Sequence, residues 1–116
     1  MAEPTKRLPA VFYRSATGTE PVRDWLKALP HEDRRIVGFD IATAEFGWPV
    51  GMPLCRPLGS GLWEVRSNLT QGRIARVIFC AREGRMVLLH GFVTKAQKTP
   101  QPDLDLARQR QREVER

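Results

Sequence analysis

Residues 62–98 read LWEVRSNLTQGRIARVIFCAREGRMVLLHGFVTKAQK. Three apolar, β-rich runs, 62–66, 73–81 and 86–93, are separated by turn signals at 67–72 and 82–85. Neither connection is long enough for a crossover helix, so the stretch predicts an antiparallel meander. Period-two alternation along the middle run places Arg73, Ala75, Val77 and Phe79 on one side and Ile74, Arg76 and Ile78 on the other. Basic residues recur throughout, at Arg66, Arg73, Arg76, Arg82 and Arg85, then at Lys95 and Lys98 just past the last strand. Glu64 and Glu83 are its only acids.

Upstream, residues 8–14 (LPAVFYR) form a short aromatic and β-branched run that predicts a first strand, with Pro9 at its start or on an edge. Thr19, Glu20 and Pro21 then supply a hydroxyl cap, an acid and a first-turn proline, so a helix starts there. Val22, Trp25, Leu26 and Leu29 make its apolar stripe, and Pro30 stops it. A second helix runs from about His31 to Phe46. Its stripe of Ile36, Phe39, Thr43 and Phe46 adjoins another of Val37, Ile41 and Ala44, a face wide enough to lie against both the sheet and the first helix. Gly47, Pro49, Gly51, Pro53 and Pro57 break regular structure up to Leu58, and Gly59-Ser60-Gly61 reads as a flexible lead-in to the meander. After Pro102, the spacing of Leu104, Ala107 and Val114 marks a short, charged last helix.

The fold class expected is α+β in the order β-α-α-β-β-β-α, two N-terminal helices packed on one side of a small, twisted, mostly antiparallel sheet. At 116 residues the chain makes one domain, with its core at 8–98 and with 1–7, expected to fray, and 101–116 peripheral. Two helices cannot bury both faces of the sheet, so the other face needs a reason to carry arginines.

Charge supplies one. The formal net charge is +6. Acids and bases balance over residues 1–53 and again over 99–116, whereas 54–98 holds eight bases and two acids. A basic sheet between neutral flanks suits a polyanion, nucleic acid first and an acidic protein segment second; the plain alternative is a solvated basic face. Cys55 and Cys80 build no disulfide framework, and no apolar segment is long enough for a signal peptide or membrane span. A reduced, cytoplasmic protein without membrane attachment is expected. Cys80 alternates with apolar neighbours as a core residue would, and a zinc site from Cys55, Cys80, His31 and His90 would lack the close ligand pairs that pre-orient one.

The order LWEVR, GRIARVIF and LLHGFVTKAQKTP resembles the HigB-like, phage-derived branch of the RelE/ParE superfamily of toxin-antitoxin toxins, over residues 11–100. The resemblance implies a compact toxin fold and cleavage of mRNA on the translating ribosome. It also implies a cognate antitoxin encoded alongside, often with a helix-turn-helix domain. The sequence lacks the tyrosine near the C-terminus that ribosome-dependent relatives use, since its one tyrosine, Tyr13, lies in the first strand.

Metal-independent RNA cleavage by a 2′-OH on the adjacent phosphate needs a base, a proton source and cations for the developing charge; it calls for no cofactor. Arginine forks onto phosphate oxygens, and a desolvated lysine beside other cations can exchange protons. These requirements select Arg76, Arg66, Lys95 and Lys98 as catalytic candidates, with Arg76 on the scissile phosphate or, alternatively, in a buried pair with Glu64. Arg73, Arg56, Arg85 and Phe92 complete the expected RNA-binding set, Phe92 being either a stacking platform or sheet core. His90 is either a base that titrates near neutrality or a hydrogen-bonded core histidine. Two other classes stay open: a ParE-like toxin that inhibits gyrase without RNase chemistry, and a non-catalytic nucleic-acid-binding module.

Overall fold

The computed structural model describes residues 5–115. In chain order these form β1 (Ala10–Phe12), α1 (Pro21–Ala28), α2 (His31–Gly47), β2 (Cys55–Gly59), β3 (Leu62–Asn68), β4 (Ile74–Arg82), β5 (Arg85–Thr94) and α3 (Gln101–Val114), with a single 3-10 turn at Thr70–Gly72. The expected meander is β3, β4 and β5, paired antiparallel from Leu62↔Cys80 to Asn68↔Ile74 and from Ile74↔Thr94 to Arg82↔Arg85. Strand order in the five-stranded sheet is β1-β5-β4-β3-β2, and β1 alone pairs in parallel, against β5. The sheet is therefore mixed and one strand wider than expected.

The extra strand is β2, in the segment expected to be irregular. Pro57 lacks an amide to donate, and a sheet tolerates that on an edge strand, which β2 is. The register shifts between Pro57 and Gly59, and the hairpin closes through Ser60 and Gly61, with φ of 55° and 81°. Left-handed backbone at both central residues matches the twist of the flanking strands. Gly59 thus ends β2 and Ser60-Gly61 is its turn, where a loose lead-in was expected. The start of the chain is tied as well: of the expected frayed residues 1–7, those before 5 lie outside the described residues, while the Arg7 and Leu8 amides donate to the Glu45 carbonyl at 2.8 and 3.0 Å.

Helices cover both faces. On one, Val22 of α1 and Val37, Ile41 and Ala44 of α2 bury against Val65, Ala75, Val77, Phe79 and Leu88. Each fully buried aliphatic or aromatic side chain contributes about 1.5–3 kcal/mol. On the other face, Leu104, Ala107 and Val114 of α3 close over Tyr13, Leu62, Ile78, Cys80 and Leu89. The last helix, expected to be peripheral, supplies the layer that two N-terminal helices could not. It is short of apolar residues because it has only one narrow stripe to bury. No helix among the described residues is long and apolar enough to cross a membrane.

Two local expectations change. Phe39 is 70% and Phe46 42% exposed, because the Val37, Ile41 and Ala44 stripe faces the sheet and, of the other stripe, Ile36 alone packs against the core. The Thr19 hydroxyl does not cap α1, whose N-cap is Glu20 with no side-chain cap bond. Trp25 of α1 lies directly over Gly91 of β5, where a Cβ would come within 2.5 Å of the indole. The helix can approach the sheet only because that position has no side chain. Gly91→Ala should therefore overpack the contact and cost roughly 1–3 kcal/mol. Thermal denaturation should show a lower Tm for Gly91→Ala, and a smaller drop when the same change is made in a Trp25→Ala background.

Candidate functional site

On the α3 face, cross-strand pairing sets two rows of side chains side by side. Phe92, Arg76 and Arg66 form one row; His90, Ile78, Glu64 and Arg56 form the next. Neighbouring strands are about 4.8 Å apart, so each row is a short ladder of adjacent groups.

Arg76 and Glu64 are both wholly buried. Arg76 Nη1 donates to Glu64 Oε1 at 2.6 Å, and Nη2 donates to the carbonyl oxygens of Ala96 and Gln97 at 2.8 and 2.9 Å. The Thr99 hydroxyl donates to Glu64 Oε2 at 2.6 Å. Every one of these bonds beyond the pair itself ends on the segment joining β5 to α3. A buried guanidinium is tolerated only when it is paired and hydrogen-bonded, and here carboxylate and carbonyls together supply that. Its Nε still lacks a partner. The arginine expected on a phosphate is thus one layer beneath the surface, in the alternative arrangement with Glu64, and it holds the segment that lies on the surface.

Lys95 and Lys98 are exposed on that segment, on either side of the two clamped carbonyls. Thr94 Oγ1 accepts from the Ala96 amide at 2.9 Å and fixes the departure from β5. Arg66 stands opposite Arg76 and is half-buried, its Nε unpartnered. Arg56 stands opposite Glu64 on the edge strand, also half-buried.

His90 is half-buried and bonded through Nε2 to Asp103 Oδ1 at 2.6 Å, while its ring stacks on Phe92 with centroids 5.2 Å apart and planes 24° from parallel. The carboxylate and the aromatic face together fix the orientation of the imidazole. Phe92 is itself half-buried.

Arg73 and Arg85 lie elsewhere. Arg73 forks onto both carboxylate oxygens of Asp33 at 2.8 and 3.1 Å and onto Thr70, tying the start of α2 to the turn before β4. Those hydrogen bonds hold the Asp33 carboxyl below its usual range, against the opposing effect of burial. Arg85 is at the β4–β5 hairpin, the far end of strands about 25 Å long. The structure therefore brings together Arg56, Arg66, Arg76, Lys95, Lys98, His90 and Phe92, and leaves Arg73 and Arg85 outside. Both cysteines are buried, with the Cys55 thiol pushed up to about 11 by burial, so neither presents a thiolate.

Sequence reasoning missed Thr99 and Asp103. Thr99 lay within the quoted TKAQKTP motif; Asp103 looked like any acid in the first turn of a helix. Missed too was a cleft of about 420 Å³ lined by Ile36, Asp40, Pro53, Leu54, Arg66 and Asn68. It opens where β2 begins only at Cys55 and the end of β3 has no outer neighbour.

These elements define a compact α+β domain with a mixed sheet, helices on both faces, and cations gathered at one end. The family model described as Phage derived protein Gp49-like (DUF891) matches residues 24–112, from α1 well into α3. The chain belongs to that phage-derived, toxin-like family, which falls within the RelE/HigB-type toxin superfamily. No curated protein matches the chain.

Removing one partner of the buried pair leaves the other charge uncompensated, so Arg76→Ala and Glu64→Gln should each cost roughly 3–5 kcal/mol. Denaturant unfolding should find both strongly destabilised, and a double replacement by apolar residues less so than the sum of the two. For Asp33, whose carboxyl is lowered in the folded state, the stabilisation is present above its ordinary value near 3.8 and is lost as pH falls through the lower folded value. The Tm advantage of the native chain over Asp33→Asn should accordingly be full at neutral pH and shrink only below about pH 4.

Proposed function

We propose that this protein is the toxin of a type II toxin-antitoxin pair, a HigB-like endoribonuclease that cuts mRNA on the ribosome and is held inactive by an antitoxin with a helix-turn-helix domain. The observation that carries the reading is the clamped segment after β5, where two exposed lysines flank carbonyls fixed from below by a buried arginine. The clamp fixes the backbone that carries both lysines, so less of the chain has to reorganise as charge develops on a phosphate.

In this mechanism Lys95, Lys98 and Arg66 surround the scissile phosphate, and Arg66 contributes a fork to its equatorial oxygens. Arg76 is a positioning residue, acting through Ala96 and Gln97. His90, oriented by Asp103, takes the 2′-OH proton as the hydroxyl attacks phosphorus, and the bond to the 5′ oxygen breaks. An ammonium of the lysine pair returns a proton to the leaving oxygen. Phe92 backs the imidazole, and Arg56 extends the backbone-binding surface along the edge strand.

Expression of the chain alone should stop growth, and co-expression of the adjacent antitoxin gene should restore it. In a ribosome-dependent cleavage assay, Lys95→Ala, Lys98→Ala and His90→Ala should each lose on the order of a hundredfold in rate, with Tm held in the two lysine variants. A folded native chain that leaves translated mRNA intact but blocks gyrase supercoiling would refute this function in favour of the gyrase-directed class.

A further inference from the structure

We propose that the cleft at the open edge of β3 takes a guanine base of the RNA, read by the Asp40 carboxylate. The inference rests on the ribonuclease reading for its substrate class and adds the base that the site selects.

The cleft is continuous with the proposed catalytic end. Arg66, assigned to the phosphate, is also one of its walls. Asn68, another wall, shares a cross-strand row with Ile74 and with Thr94, the residue just before Lys95. Two strand spacings, about 10 Å, therefore separate Asn68 from the start of the lysine segment. One nucleotide can reach from phosphate to base over that distance. At about 420 Å³ the cleft falls within the range of small-ligand sites, roughly 300–1,000 Å³.

Its chemistry is that of a base pocket. Ile36, Pro53 and Leu54 give apolar surface for an unstacked ring. Asp40 is half-buried and, among the described residues, takes part in no ion pair and accepts no side-chain hydrogen bond, although Arg66 lines the same space. A carboxylate left unpaired across a cleft from a guanidinium has room for a ligand between them.

The choice of base follows from donors and acceptors. An ionised carboxylate only accepts, through two oxygens side by side. Guanine offers two neighbouring donors, N1–H and the N2 amino group, and so engages both oxygens. Adenine and cytosine each place a ring-nitrogen acceptor beside their amino group, and uracil places carbonyls on both sides of N3–H. Those three bases would set a lone pair against one carboxylate oxygen.

The test is titration of the purified full chain with the four nucleoside 5′-monophosphates, followed by chemical-shift changes, and mapping of cut sites in translated mRNA. GMP should bind about tenfold or more tightly than AMP, CMP or UMP, and Asp40→Asn should remove that preference. Lys95→Ala should weaken all four alike, since it meets only phosphate. Cut sites of the native chain should carry G at one fixed position, and Asp40→Asn should relax it. Equal binding of the four nucleotides, or a GMP preference that survives in a folded Asp40→Asn chain, overturns the pocket. GMP selectivity without any RNA cleavage would retain the pocket and remove the ribonuclease reading; cleavage without base preference would do the reverse.

Discussion

The carboxylate of Glu64 and the guanidinium of Arg76 meet at 2.6 Å with neither side chain exposed, and much of the molecule's functional geometry hangs on that contact. Desolvating both charges is expensive, and a well-packed apolar pair in their place is often no less stable. What the pair supplies is specification. The other hydrogen bonds it makes go to Ala96, Gln97 and Thr99, so the path of the chain between β5 and α3 is drawn by where two buried charges need partners. An apolar core would leave that path to surface forces alone.

That arrangement divides the basic excess of the chain into groups with different work. Arg76 is spent inside the fold, and Arg73 is spent on Asp33 at the start of α2. Arg82 and Arg85 sit at the hairpin tip, remote from the rest. What remains at one end of the sheet is Arg56, Arg66, Lys95 and Lys98, a smaller and more concentrated surface than the composition suggests.

The second face of the sheet is where fold and site are joined. α3 buries Ala107 against Ile78 and Leu89, Arg110 donates to the Leu89 carbonyl at 2.8 Å, and Asp103 reaches His90. The same helix thus completes the core and orients the imidazole. Its docking also explains how so charged a segment is ordered: few of its residues face the sheet, but those that do meet a continuous apolar strip.

From sequence alone the meander, the two N-terminal helices, the leading edge strand and the cluster of cations around 62–98 were legible. They depend on local rules, namely period-two and period-3.6 patterns, proline stops and short turns, which neighbours along the chain express directly. β2 was hidden because Pro57 and its glycines read as breakers, and only a place on the sheet edge makes them acceptable. α3 was undervalued because one narrow apolar stripe is a weak signal until its partner strip is known. The alternatives for Arg76 could be separated only in three dimensions. Alternation put it among apolar neighbours, but whether Glu64 stood across from it, whether residues 96–99 folded over it, and whether Arg66 and Asp40 shared a cleft depended on strand register and on the return of the chain. Those are contacts between residues far apart in sequence, fixed by the packing of the whole domain.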